Sequence, residues 1–200
     1  FNSLIIFDND DKLYVELQKL FTNVRIIFIK SGSTFREIDD YHYEINIEKR
    51  EHYRQLIESL RKKQIPIQKI VHNISKEDFN INNIEMLLTD SVISIFLLCH
   101  ELFLHKFKEN IQVVYLYNNG NSPIYSGIGS FARSACLENT KLQFKTIGFE
   151  SDTSYHYLKL IGAELNEQRE PCEEIIYKDK KRYIKQFTEL GNNEKNKENE

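Results

Sequence analysis

The chain has 200 residues, 28% of them charged, and its 27 basic and 30 acidic side chains leave a formal charge of −3. That length suits one domain with a single buried core, and the even balance excludes a polyanion or nucleic-acid binder that works through a basic stripe. Cys99, Cys136 and Cys172 form no Cys-x-x-Cys pair, and so sparse and odd a set fits a reducing, cytoplasmic setting rather than a disulfide scaffold.

Phe and Tyr supply all of the 12% aromatic content, ample for a packed interior. The excess of Ile, Asn, Lys and Glu reads as the codon bias of an AT-rich genome. No secretory signal opens the chain, and the longest apolar stretch, Ser91 to Cys99, is too short to span a bilayer. The first residue is Phe1, and a strand follows almost at once, as expected of a piece of a larger protein.

Taken in order, Ser3 to Phe7 is an apolar run without alternation, the pattern of a strand buried on both faces. Asp8 to Asp11 form a turn and N-cap, after which Leu13, Val15, Leu17, Leu20 and Phe21 approximate helical spacing. Val24 to Ile29 is a second strand, ended by Ser31-Gly32-Ser33. Tyr41 to Ile47 alternates as a short strand does. Glu48 to Lys63 predicts an amphipathic helix with Tyr53, Leu56, Ile57 and Leu60 on one face. Ile67 to His72 is the third core strand, followed by a polar loop over 73–83 and a long, largely buried helix from Ile84 to Phe107.

Ile111 to Tyr117 predicts another strand, Asn118 to Pro123 a loop, and Tyr125 to Glu138 a helix with small residues on one side. Leu142 to Phe149 is a strand and Thr153 to Leu165 a helix. Glu173 to Tyr177 and Arg182 to Phe187 flank Lys178-Asp179-Lys180-Lys181 as a terminal hairpin. Gly191 to Glu200 is a charged, low-complexity tail or linker. Alternating strands and helices predict a doubly wound α/β domain over 1–190, a mostly parallel Rossmann-like sheet with a terminal β-hairpin.

In such folds the first strand leads into a glycine-rich turn whose backbone meets a pyrophosphate at a helix N-terminus. Here that turn is Asp8-Asn9-Asp10-Asp11, with three carboxylates where two phosphates would sit, and acidic residues are an ordinary capping choice in a first helical turn. The Gly127-Ile128-Gly129 run comes several strands too late for the fingerprint, and its glycines suit close helix–sheet packing.

The segment from Val113 to Glu138 resembles the structural subdomain of ketoreductases in modular type I polyketide synthases, which are short-chain dehydrogenase-like. Gly127, Ile128, Arg133 and Glu138 stand where that family shows Gly-Leu-x-Arg and a later Glu, one residue out of register around Gly129. Ile5-Ile6-Phe7-Asp8 and Ile70-Val71-His72-Asn73 also match. Ile175 to Tyr183 resembles the family's charged hairpin, with Lys180 replacing the usual Gly. The resemblance runs from about Leu4 to Phe187.

The resemblance implies a degenerate copy of the dehydrogenase fold, a pseudoenzyme with no catalytic, cofactor or metal residues of its own. Its partner would be the catalytic half of the same polypeptide, which binds NADPH and reduces a β-ketoacyl thioester on an acyl carrier protein. A methyltransferase domain sometimes separates the halves. The resemblance also implies an apolar face or free sheet edge left open on this chain. A working copy would carry Tyr-x-x-x-Lys, in which Lys lowers the Tyr pKa; Tyr125 takes about the Tyr position, but Gly129 stands four residues on. The upstream Ser is replaced by Asn118-Asn119.

Three other patterns carry weaker chemistry. Tyr155-His156-Tyr157-Leu158-Lys159 matches Tyr-x-x-x-Lys one strand and one helix too late, and suits a surface helix. His100 and His105 are five apart, about 140° around a helix, so they cannot share an ion as an i, i+4 pair would. Cys136 and His72 suggest a thiol nucleophile only if the fold joins them. Two other functions remain open at this level: a Rossmann-like module binding a ligand near Asn73, Asn118 and Asn119 without turnover, and an intact oxidoreductase with an unusual site.

Overall fold

In the computed structural model, residues 1–75, 80–118, 123–149, 156–167, 170–179 and 181–186 are described. The strands are β1 (Ser3–Phe7), β2 (Arg25–Ser31), β3 (Arg36–Glu37), β4 (His42–Ile45), β5 (Lys69–His72), β6 (Ile111–Asn118), β7 (Leu142–Phe149), β8 (Cys172–Lys178) and β9 (Lys181–Ile184). They form one sheet in the order β3-β4-β2-β1-β5-β6-β7-β8-β9. Every neighbouring pair from β4 to β8 is parallel, while β3 and β9 close the edges as antiparallel hairpin strands. Without those two edges the order is the 3-2-1-4-5-6 pattern of a doubly wound nucleotide-binding fold, extended by one strand.

The helices are α1 (Lys12–Leu20), α2 (Arg50–Lys62), α3 (Ile84–Leu88), α4 (Ser94–Leu104), α5 (Pro123–Glu138) and α6 (His156–Asn166). One face of the sheet is covered by α2, α4 and α5 over Phe7, Ile27, Tyr43, Ile70, Val113 and Phe144. The other is covered by α1 and α6 over Leu4, Ile6, Phe28, Val71, Val114 and Ile147. Side chains alternate between faces along each strand. Central strands such as β1 and β6 therefore have to be apolar at nearly every position, as their buried runs are.

The four residues predicted for the face of α2 are its buried ones, each contributing about 1.5–3 kcal/mol on burial. In α1 only Leu13 and Leu17 are buried, and Val15 and Leu20 point outward. The predicted helix from Ile84 to Phe107 is real but broken by a π turn at Thr89–Ile93. Together with the 3₁₀ turn at Ile81–Asn83 it forms a continuous run from Ile81 to Leu104, long and apolar enough to cross a membrane by length and composition. In this fold Leu87, Ile95, Leu98, Cys99 and Leu102 on that run are core residues under the sheet. The strand β3 escapes the sequence reading because two polar residues carry no periodicity. The charged tail at 191–200 lies outside the described residues.

Candidate functional site

Ligands of open α/β sheets bind at the carboxyl ends of the strands, where the strand order reverses. That crevice lies here between β1 and β5, and the residues that end those strands close it. Asp8 is fully buried, and its Oδ2 accepts a hydrogen bond from Asn73 Nδ2 at 2.6 Å. Asn73 N donates in turn to the Phe7 carbonyl at 2.8 Å.

The turn after β1 is tied down in the same way. Asp8 Oδ1 accepts from Asp10 N at 2.9 Å, Asp10 Oδ1 accepts from Lys12 N at 3.0 Å, and Asn9 Oδ1 accepts from Ser31 N at 3.0 Å. The Asp10 and Lys12 amide hydrogens, which would face a phosphate in a glycine-rich turn, are thus directed at carboxylate oxygens.

Behind this pair a ladder of rings crosses the sheet. Tyr53 stacks on Phe7 with centroids 6.1 Å apart, Phe7 on His72 at 5.9 Å, His72 on Tyr115 at 5.4 Å, and Tyr115 on Tyr117 at 6.0 Å. Tyr125 follows at 6.0 Å from Tyr117 and is almost wholly buried. Burial raises the phenol pKa of Tyr53, Tyr115 and Tyr117, the opposite of what a proton donor at neutral pH requires. The Tyr115 hydroxyl donates to Ser75 Oγ at 2.8 Å, and Ser75 donates to the Asp90 carbonyl at 2.8 Å.

On α5, Ile128 packs into the core and Arg133 is paired with Glu174 of β8, while Glu138 ends the helix. The two glycines differ. A Cβ on Gly129 would lie 2.4 Å from Glu174 Cδ, the far end of a side chain that would have to swing aside, whereas a Cβ on Gly127 would meet nothing within 4 Å. Restoring the lysine spacing with Gly129→Lys is therefore expected to displace Glu174 from Arg133, at a cost of about 1 kcal/mol for a partly exposed pair, and to produce no NADPH oxidation. Denaturant unfolding and an absorbance assay at the nicotinamide band check both.

Of the other patterns, Tyr155 lies outside the described residues. His105 Nδ1 lies 2.8 Å from the Glu101 carbonyl oxygen, and Glu101 is buried and paired with Arg50. His72 and Cys136 are not joined: His72 bonds Ser94, and Cys136 meets Pro171 and Cys172. Sequence reasoning missed a buried charge cluster formed by Lys145, Glu164, Glu173 and Arg182, for which the one signal is a lysine in the middle of an apolar strand.

The strand order and crossovers define a Rossmann-like, short-chain dehydrogenase-type fold. The sequence profile of the family described as Beta-ketoacyl synthase-like, N-terminal matches residues 2–167, and the chain belongs to that family. Among solved structures, an N-terminal ketoreductase from the macrolactin assembly line superposes with a TM-score of 0.78 at 21% identity, over 94% of this chain and 41% of that one. A second, the adenylation, ketoreductase and pseudo-Asub multidomain structure of a keto acid-selecting NRPS module, gives 0.79 at 17% identity over 92% and 16%. A short-chain dehydrogenase/reductase family oxidoreductase from Brucella ovis, in complex with a partially ordered NAD, gives 0.58 at 14% identity over 82% and 90%. The chain thus spans less than half of either assembly-line protein but nearly all of a single dehydrogenase. No curated protein sequence matches it.

Proposed function

We propose that the chain is the noncatalytic, structural half of a polyketide-synthase ketoreductase, which supports an NADPH-binding catalytic half in the same polypeptide. The observation that carries this reading is the buried Asp8–Asn73 pair at the point where a dinucleotide would enter. The ring ladder behind it and the glycine in place of the catalytic lysine point the same way. The same pair weakens the alternative of a ligand-binding module, since the Asn73 amide is spent on Asp8.

A supporting half must present a surface to its partner. The helix α4 is hydrophobic all round, a composition that calls for burial on every side. Yet Phe96 and Leu104 on its outer face are exposed, Phe96 by 51%, as is Ile93 at the end of the preceding π turn. Phe131 of α5 sits beside Phe96 at 6.2 Å, and Leu137 at the end of α5 is 84% exposed. Exposed apolar patches of this kind mark interfaces. The ketoreductase matched over only 41% of its length has room for a second unit to cover the face.

The test is calorimetric titration with NADPH of the chain alone and after adding the segment that follows it in the parent protein. No binding alone, with binding and β-ketoacyl reduction once the second half is added, is the expected result. Saturable NADPH binding by the chain alone would overturn the reading. A Phe96→Asp variant is expected to weaken association of the two halves by at least a hundredfold, about 3 kcal/mol, as for a central aromatic anchor.

A further inference from the structure

Two of the three cysteines, far apart in the sequence, come together in the fold. Cys136 lies in the last turn of α5 and Cys172 opens β8, and these two elements pack against each other in the larger core cluster. Cys136 Sγ donates to the Pro171 carbonyl at 3.4 Å, and Pro171 immediately precedes Cys172, so the two thiols are neighbours. Cys172 is partly exposed and lines a surface cleft of about 610 Å³ together with Arg133, Glu170, Glu174 and Lys185.

The two sulfurs are not equivalent. The neighbouring Cys136 thiol, with the nearby Arg133 guanidinium, lowers the Cys172 thiol below the ordinary range. Cys136 is pushed up by its closeness to Cys172 and by its burial. Burial alone takes Cys99 up to about 12. One accessible sulfur with thiolate character beside one sheltered thiol is the arrangement of an attacking and a resolving cysteine.

We propose that Cys136 and Cys172 form a redox-responsive dithiol, a modification site that reacts with small-molecule disulfides such as oxidised glutathione and closes into an internal disulfide. The Cys172 thiolate attacks one sulfur of oxidised glutathione, forming a mixed disulfide and expelling a glutathione thiolate, which takes up the proton that Cys172 gave to solvent. Cys136 then loses its proton, attacks Cys172 Sγ and expels the second glutathione thiolate. Two electrons and two protons leave the protein, and one oxidised glutathione becomes two reduced ones. The product ties the last turn of α5, next to the exposed Leu137, to the first residue of β8.

The inference stands apart from the ketoreductase reading, and its test reads mass rather than activity. The whole chain is incubated with oxidised glutathione at mildly alkaline pH, quenched in acid, denatured, alkylated and weighed intact. The expected product has lost two hydrogens, keeps one alkylatable thiol at Cys99, and yields a peptide joining Cys136 to Cys172. Cys136→Ser is expected to stop at a single glutathione adduct on Cys172, which forms on the order of tenfold faster than any adduct on Cys99. Cys99→Ser should cross-link like the parent. A stable glutathione adduct on the unaltered chain, a cross-link through Cys99, or no change in mass would each overturn the proposal.

Discussion

Lys145→Met is expected to cost about 3–5 kcal/mol of folding stability, the usual penalty for stripping one partner from a buried ion pair. Lys145 is almost wholly buried in β7, where its Nζ lies 3.2 Å from Glu164 Oε2 and 3.3 Å from Glu173 Oε2 and donates to the Glu164 carbonyl at 3.0 Å. Arg182 of β9 holds Glu164 from the other side at 2.6 Å, and the Tyr177 hydroxyl donates to the same oxygen, also at 2.6 Å. Methionine keeps the length of the side chain and removes the charge. Two buried carboxylates are then left to one partly exposed arginine.

The pH dependence separates lost charge from lost packing. Burial pushes the Glu164 carboxyl up, but hydrogen bonds from Arg182 and Tyr177 and the charge of Lys145 outweigh it and hold it below the ordinary carboxylate value of 4.5. A carboxylate depressed in the folded state contributes stability that is present above its unfolded pKa and lost as pH falls through its folded one. The penalty of Lys145→Met should therefore be large at pH 7 and shrink toward pH 4, as Glu164 in the variant takes up a proton. Urea unfolding of both chains at the two pH values measures this. An equal penalty at both would assign the loss to packing.

The layers were legible because burial writes them directly into periodicity. Leu13 and Leu17, and the face of Tyr53, Leu56, Ile57 and Leu60, mark helices, while the nearly continuous apolar runs of β1 and β6 mark strands sheathed on both sides. The helix from Ile84 to Phe107 reads as largely buried because Ile93, Phe96 and Leu104 are chemically indistinguishable from core residues. Only the fold shows which apolar face this chain itself covers. The turn Asp8-Asn9-Asp10-Asp11 was legible as a place without glycine, but the Asp8–Asn73 bond spans 65 positions and exists only once β1 and β5 are neighbours. The same holds for Cys136 of α5 with Cys172 of β8 and for Lys145 of β7 with Glu164 of α6, which meet only because those helices pack on the sheet.

His72 should make the fold acid-sensitive between about pH 6.5 and 5, above the ordinary carboxylate range. Its ring is fully buried between Phe7 and Tyr115. Ser94 Oγ donates to the Asp90 carbonyl at 3.1 Å, which leaves the His72 Nε2–H to donate to Ser94 at 2.5 Å and makes Nδ1 the bare nitrogen. Nδ1 has no hydrogen-bond partner among the described residues, and a proton added there would meet only the residue's own backbone carbonyl. Burial accordingly pushes the imidazole down from 6.5 to about 3, offset only slightly by its own backbone carbonyl. Below pH 6.5 the unfolded chain then binds a proton that the folded chain refuses, so stability falls as pH falls until about pH 3.

At 1.36 kcal/mol per pH unit, the loss between pH 7 and pH 5 is about 2 kcal/mol. Depressed carboxylates such as Glu37 and Glu164 act only below their unfolded value of 4.5. His52, whose pKa is lowered by burial and by Lys49, contributes equally to parent and variant. His72→Gln, which cannot take the proton, should start less stable at pH 7 and lose about 2 kcal/mol less on going to pH 5. Parallel unfolding curves for the two chains across that range would mean that the ring is already charged, or already reached by water, in the native state.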